Sequence, residues 1–278
     1  MSGAEKKVDG TETGMGDVEA GAGAERLVRV ERRDGVVRLT LDRPAQANAL
    51  SLAMARELTE AVRAAEADPD VHVLTITGAG RFFCGGGDVA AMGAVPGQER
   101  PAVLQALADA AGEMALALVR SRLVVLAGVN GTAAGAGLGL VVNADLALVR
   151  EDAAVLTAYT GIGLAPDTGV SWWLPRLVGP ARAAELALRG RRLTGAEAVE
   201  WGLATEAVPG EDFDARLTAL EDELAAGAVH AYGPTKALLR GPMVEGYAEH
   251  LDREAAAIAE ASGHPGAVRR VDAFLGKG

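Results

Sequence analysis

Two short stretches of this chain place glycines at the start of an apparent helix. In "RFFCGGGDVAAM", Gly85, Gly86 and Gly87 follow a short strand and its loop and precede an apparent helix start at Asp88. In "VNGTAAGAGLGL", Gly135, Ala136 and Gly137 follow the next strand, again at a helix start. The first turn of a helix carries unpaired N–H groups and the positive end of the dipole, so each stretch is an anion site, and two such sites could converge on one oxygen. Either cluster alone reads equally well as close packing of helix on strand; the pair is more specific. A dinucleotide site does not fit, because G-A-G-L-G-L is not G-x-G-x-x-G and lies too late in the chain. No G-K-S/T phosphate loop is present, and the four histidines lack metal-ligand spacing, so no metal site is expected. Cys84 beside the first cluster has no base paired with it in sequence and reads as a small buried thiol.

The elements that must hold these clusters are legible from periodicity. "LVRVERR" and "VVRLTLDRP" alternate around Arg33-Asp34-Gly35, which predicts a hairpin. "SLAMARELTEAVRAAEADPD" has helical spacing, with Ser51 as cap and Pro69 as stop. "HVLTITG", "LVVLAGVNG" and "DLALV" read as strands, with a helix at about 101–120 between the first two. Beyond Thr160 the pattern turns almost wholly helical. This predicts an α/β core over 26–200 and a helical C-terminal region over 201–278, after a Gly- and Glu-rich flexible tail over 1–25.

Composition narrows the partners. The 278 residues are long enough for a sizeable core, but only 4% are aromatic, so Ala, Val and Leu must supply most of it. With 27 basic and 38 acidic residues the net charge is −11 and no basic stripe appears, which argues against nucleic acid and an anionic membrane surface. A single cysteine fits a reducing compartment. No signal core or 18-residue apolar run stands out, so a cytoplasmic protein is expected.

Four motifs, "RFFCGGGDVAAM", "VNGTAAGAGLGLVVNADLAL", "GIGLAPDTGVSWWLPRLVG" and "LTGAEAVEWGLATEAV", in this order and spacing, resemble the enoyl-CoA hydratase/isomerase (crotonase) superfamily. The likeness runs from about Arg26 to Lys277. It implies a crotonase-like spiral of ββα units with a C-terminal helical trimerisation region, assembled as a homotrimer or homohexamer. It also implies an acyl-CoA thioester substrate, with coenzyme A part of that substrate and no separate cofactor. The thioester oxygen would be held by the amides of Gly87 and Ala136, residues matched from the family motifs. The chemistry fits, because removing a proton beside a thioester leaves charge on that oxygen, where one preorganised donor stabilises it by roughly 3 kcal/mol.

In hydratases of the superfamily two glutamates hold the added water; those positions are Gly139 and Tyr159 here, so neither carboxylate is present. Asp167 in "LAPDTG" resembles the aspartate of the isomerase branch, including ring-epoxide and dienoyl-CoA isomerases. One carboxylate suffices for a 1,3-proton shift, helped by apolar walls that Leu164, Trp172 and Trp173 could supply. The competing role for Asp167 is to cap a helix starting at Thr168. The same segment also resembles aryl-CoA dehalogenases, in which the aspartate is a nucleophile. That mechanism implies a histidine that activates water, and none lies between His72 and His230; the tryptophan accompanying the nucleophile falls at Tyr159. A hydratase or hydrolase variant and a silent acyl-CoA-binding subunit remain as alternatives.

Other positions have expected roles. Tyr159 reads as a donor to substrate or a pocket wall, and at most one of the adjacent Trp172 and Trp173 can face the pocket. Asp88 is expected to cap its helix and Asp145 to be a structural acid. "RPAQANAL", with Ala45 and Ala47, resembles the segment that wraps the CoA adenine. Phe274 and Lys277 match residues that in the family reach the CoA of a neighbouring subunit.

Overall fold

The computed structural model describes residues 26–277; the expected flexible tail over 1–25 lies outside them. The chain opens with the hairpin β1 (Val28–Arg33) and β2 (Val36–Leu41), in register from Val28↔Leu41 to Arg33↔Val36 across a two-residue turn. Asp34-Gly35 can make that turn because Gly35 adopts φ 71°. α1 (Leu52–Ala67) follows, with the Ser51 side chain accepting from the Met54 amide as the sequence predicts.

From there the chain winds in a repeating pattern. β3 (Val73–Gly78) joins β2 in one sheet, and β4 (Phe82–Cys84) starts a second. α2 (Val89–Gly93) and α3 (Arg100–Arg120) lead back to β5 (Val124–Val129) beside β3, then β6 (Thr132–Ala134) beside β4. α4 (Ala136–Asn143) leads to β7 (Leu146–Arg150) beside β5 and β8 (Ala154–Leu156) beside β6. Each turn of this spiral thus adds one parallel strand to each sheet and then a helix, which is the expected ββα arrangement. The pairing from β2 through β7 is parallel, so the strands are covered on both faces and read as nearly continuous apolar runs.

Past Thr160 the expectation of helices alone needs correction. β9 (Leu193–Thr194) closes the small sheet against β8, and β10 (Glu206–Val208) adds a sixth strand to the main sheet beside β7. Two- and three-residue strands carry too few residues to show a period of two. The α/β part therefore runs past residue 200. The helices here are α5 (Val170–Val178), α6 (Pro180–Arg189), α7 (Gly195–Glu200), α8 (Phe213–Ala225), α9 (Val229–Val244), α10 (Tyr247–Gly263) and α11 (Pro265–Phe274).

α10 lies along α3, with Leu251 packed on Gly112. The stretch Gly97–Arg120 is in fact long and apolar enough to cross a membrane, with mean hydropathy 1.5. This corrects the expectation that no such run exists. Packing explains its composition, because α3 is clasped between α1 and α10 and buries Leu104, Leu107, Met114 and Leu118.

Candidate active site

Parallel pairing of β4 with β6, Cys84 opposite Ala133, delivers the two glycine clusters side by side. A Cβ on Gly135 would stand 3.5 Å from the Gly86 Cα, and one on Gly137 would strike the Cys84 carbonyl at 2.3 Å. The segments touch backbone to backbone, which only glycine permits. Gly87 bridges to Leu50: Leu50 N donates to Gly86 O (2.7 Å) and Asp88 N to Leu50 O (2.9 Å), so the N–H of Gly87 itself is turned away from Leu50. Ala136 is the first residue of α4, after Gly135 with no side-chain cap. Among the described residues neither the Gly87 nor the Ala136 amide has a protein acceptor. Leu107 lies 3.6 Å from a Cβ placed on Gly87 and lines a cavity of about 360 Å³ with Ser51, Asp88, Met92, Val103 and Leu104.

Asp167 is buried beside these clusters through Tyr159. The Tyr159 hydroxyl donates to Asp167 Oδ1 (2.7 Å), and its ring carbon Cζ is 3.8 Å from a Cβ placed on Gly135. Thr168 Oγ1 also donates to Oδ1 (2.8 Å), while Oδ2 accepts no hydrogen bond among the described residues. Burial pushes the carboxyl up to about 6; the Tyr159 and Thr168 hydroxyls pull it back, and the charge of Glu254 adds to the rise. The capping expectation is not met. α5 begins at Val170 after Gly169, and the Asp167 side chain takes none of its amides.

The turn that presents Asp167 is held from two sides. Thr168 and Gly169 both have left-handed backbone, φ 55° and 77°, which is costly for a β-branched residue. Buried Asn143 on α4 donates to the Thr168 carbonyl (2.9 Å) and to Gly139 O, while its oxygen accepts from Trp173 Nε1 and the Tyr247 hydroxyl. From α10, buried Glu254 accepts from Gly169 N (2.6 Å) and Ser171 N (2.9 Å). The turn also fills the space beside Gly139: a Cβ there would stand 2.6 Å from both Cβ and Cγ2 of Thr168.

The remaining predicted residues fall in other places. Trp172 faces the C-terminal helices, not the cavity: Nε1 donates to Met243 O, Arg176 lies 3.7 Å over the ring, and His250 packs against it. Trp173 is buried. Tyr159 spends its hydroxyl on Asp167, a role the sequence reading did not assign. Ala45 is exposed in a short turn, whereas Ala47 accepts from Gly85 N (2.8 Å) and so touches the first cluster. Lys277 reaches the Gly93 carbonyl at the end of α2 in its own chain, and Phe274 is exposed. Asp88 caps α2 as expected, accepting from Ala91 N. Asp145 accepts from Val125 N and pairs with Lys236 and Arg240. Burial pushes the Cys84 thiol up to about 11, so it carries little thiolate at neutral pH.

Four contributors escaped the sequence reading. Arg43 pairs with Asp88 at 3.0 Å, and Asn48 pins the Ala47 turn through Arg43 N, Ala79 O and Phe82 O. The others are Asn143 and Glu254. An Asn or Glu within an ordinary helical or turn pattern carries no local mark of its distant partners.

Fold and site together define an α/β spiral protein with two adjacent free backbone donors and one buried, half-satisfied carboxylate. The chain belongs to the enoyl-CoA hydratase/isomerase family, whose model matches residues 31–266. It is 41% identical over 209 residues to a probable enoyl-CoA hydratase of Rhodobacter capsulatus, covering 75% of this chain and 79% of that one. It is 33% identical to 4-chlorobenzoyl coenzyme A dehalogenase-2 of an Arthrobacter species (90% and 91% covered) and 32% identical to 1,2-epoxyphenylacetyl-CoA isomerase of Escherichia coli (82% and 86%). The crystal structure of an enoyl-CoA hydratase from Mycobacterium avium subsp. paratuberculosis superposes with a TM-score of 0.82 at 29% identity, covering 90% of this chain and 99% of that one. The chain is thus a crotonase-family acyl-CoA enzyme.

Proposed function

We propose that this enzyme is an enoyl-CoA isomerase that uses Asp167 as its only proton carrier. Asp167 Oδ2 removes a proton from C2 of a 3-enoyl thioester. The electrons move into the thioester, and the charge on its oxygen is held by the amides of Gly87 and Ala136. The same carboxyl returns the proton at C4, giving the 2-enoyl ester with no atom gained or lost. The shift needs no cofactor besides the CoA that the substrate carries, and the apolar cavity beside Gly87 suits an aliphatic or aryl acyl group.

The observation that carries this reading is the surroundings of Asp167. One of its oxygens is committed to two hydroxyls and the other accepts no hydrogen bond, and among the described residues the nearby carboxylates are spent elsewhere. Glu254 spends both oxygens on the start of α5, and Asp88 is committed to Arg43 and its own helix. At Gly139, where a hydratase of the family carries its first glutamate, the Thr168 methyl occupies the space. The dehalogenase relatives suggest nucleophilic attack by the same aspartate, but no histidine between His72 and His230 is available to hydrolyse the ester. CoA would run along the Ala45–Ala47 turn, with Phe274 and Lys277 reaching the CoA bound by a neighbouring copy. Assembly as a trimer or hexamer is part of the proposal.

The test is incubation with 3-enoyl-CoA and 2-enoyl-CoA esters in deuterated water, read by mass. An isomerase moves the double bond, seen by separating the two isomeric esters, without gaining the mass of water, and takes up deuterium only as far as the Asp167 carboxyl exchanges with solvent before returning the proton; a hydratase gains the mass of water, and a silent binder leaves both esters unchanged. Asp167→Asn is expected to lower turnover by about two or more orders of magnitude while the CoA ester still binds. Turnover near that of the native protein in this variant would remove Asp167 from the mechanism.

A further inference from the structure

Glu254 is a buried carboxylate on the penultimate helix, 85 residues from Gly169, and among the described residues no Lys or Arg pairs with it. Its partners are the Gly169 amide (2.6 Å), the Ser171 amide (2.9 Å) and the Ser171 hydroxyl (2.5 Å). Among the described residues the one cationic candidate is His250, one turn earlier on α10, at 3.4 Å from Oε1 and 2.7 Å from Ser171 Oγ. A carboxylate serves the two amides with one oxygen each, whereas a neutral amide side chain would turn an N–H₂ toward one of them, so the acceptor here is the charged group. The first amides of α5 and its dipole hold that charge, and they begin two residues after Asp167.

We propose that Glu254 is a positioning residue for the reaction: from α10 it fixes the left-handed Thr168–Gly169 turn, and with it the direction of the Asp167 carboxylate, and it supplies a fixed negative charge behind that carboxylate. The inference rests on the proposed role of Asp167. The turn cannot hold itself, since Thr168 pays for φ 55° and Gly169 lies against the Tyr247 hydroxyl with no room for a side chain. Asn143 secures only its carbonyl side, through Thr168 O; the amide side is secured by Glu254. The titratable groups facing Asp167 are Tyr159, from the segment after β8, and Glu254 from α10. Those facing Glu254 are His250 and Tyr247 of α10 together with Asp167 and Tyr159, and Arg253 reaches His250 from its far side. A negative charge disfavours a second one nearby, so Glu254 makes Asp167 a stronger proton acceptor.

The test compares Glu254→Gln, Glu254→Asp and Asp167→Asn in the full chain, with a 3-hexenoyl-CoA ester as probe and thermal unfolding to confirm folding. Glu254→Gln keeps the shape but removes the charge and turns an N–H₂ toward one of the amides. Its kcat is expected to fall about tenfold or more with KM within about threefold, and the acid limb of its pH profile to move to lower pH. Glu254→Asp keeps the charge but shortens the reach; its limb should stay in place while kcat falls about fivefold or more. A mere brace would lower the melting temperature and leave both the limb and kcat alone, and that result in Glu254→Gln overturns the proposal. Should Glu254→Gln not fold, an unchanged kcat in Glu254→Asp overturns it equally. If Asp167→Asn stays active, the isomerase reading itself falls; if Asp167→Asn is silent and Glu254→Gln behaves as the native protein, only the role of Glu254 falls.

Discussion

At Asp167 two opposing influences meet on one carboxyl group. Burial favours the neutral acid, whereas the hydroxyls of Tyr159 and Thr168 favour the anion, and the balance leaves the group near 6. A proton carrier needs that compromise: anionic at neutral pH, yet basic enough to take a proton from a carbon acidified by the thioester. Activity should therefore rise with pH through about 6 and level off above it, because only the anion can start the reaction. Tyr159→Phe deletes a donor that stabilises the anion, so the Asp167 carboxyl should become harder to ionise and the limb move to higher pH. Turnover should fall by about five- to thirtyfold from loss of orientation. A pH–rate profile of the variant checks both signs, and a limb that stays fixed or moves down contradicts the assignment of the Tyr159–Asp167 bond. The sequence exposed Asp167 and Tyr159 as positions of interest but not their bond, since the segment between them holds only the short Thr160–Ile162 helical turn and irregular backbone, too little periodicity from which to read a contact.

Among the elements, the turn between the Thr160–Ile162 helical turn and α5 decides what the site can hold. It leans on α4 so closely that Gly139 has no room for a Cβ. Gly139→Glu, which restores the first hydratase carboxylate in sequence, is therefore expected not to restore hydration. It should instead push Thr168 away, cost about 1–3 kcal/mol or more of stability and displace Asp167, lowering isomerase turnover. Thermal unfolding and the mass assay in deuterated water test this together; a stable variant that adds water would show that the turn can yield. Longer elements announced themselves in the sequence, α1 through its Ser51 cap and apolar spacing, β3 and β5 through their apolar runs, the hairpin through Asp34-Gly35. β9 and β10 did not, because strands of two and three residues exist only through the neighbours they pair with. The same holds for Glu254, an ordinary helical glutamate until α10 is laid against α5. Tertiary placement, not local propensity, gives it a task.

Across the whole molecule, α9 presents apolar side chains that one chain leaves uncovered: Leu238 is 80% and Leu239 68% exposed, with Met243 on the next turn. Its other face is anchored, with Lys236 and Arg240 paired to Asp145, so α9 is held in place while Leu238 and Leu239 point to solvent. A chain of net charge −11 that exposes adjacent leucines on a fixed helix combines long-range repulsion between copies with a local apolar attraction. Self-association through α9 should then strengthen as salt rises, because screening weakens the repulsion and leaves apolar burial intact. Replacing both residues, Leu238→Glu with Leu239→Glu, touches neither Asp167 nor the glycine clusters, yet buries charge in any interface built on this face and should dissociate a trimer or hexamer into single chains. Light scattering after size-exclusion chromatography at low and high salt measures this. A native protein that stays a single chain at both would exclude assembly through α9, and an oligomer that survives the double substitution would place its contacts on another face. The residues of the candidate site all come from one chain, so the dissociated variant should keep the native turnover unless a neighbouring copy completes the CoA contacts near Phe274, in which case KM rises while the pH limb set by Asp167 stays where it is.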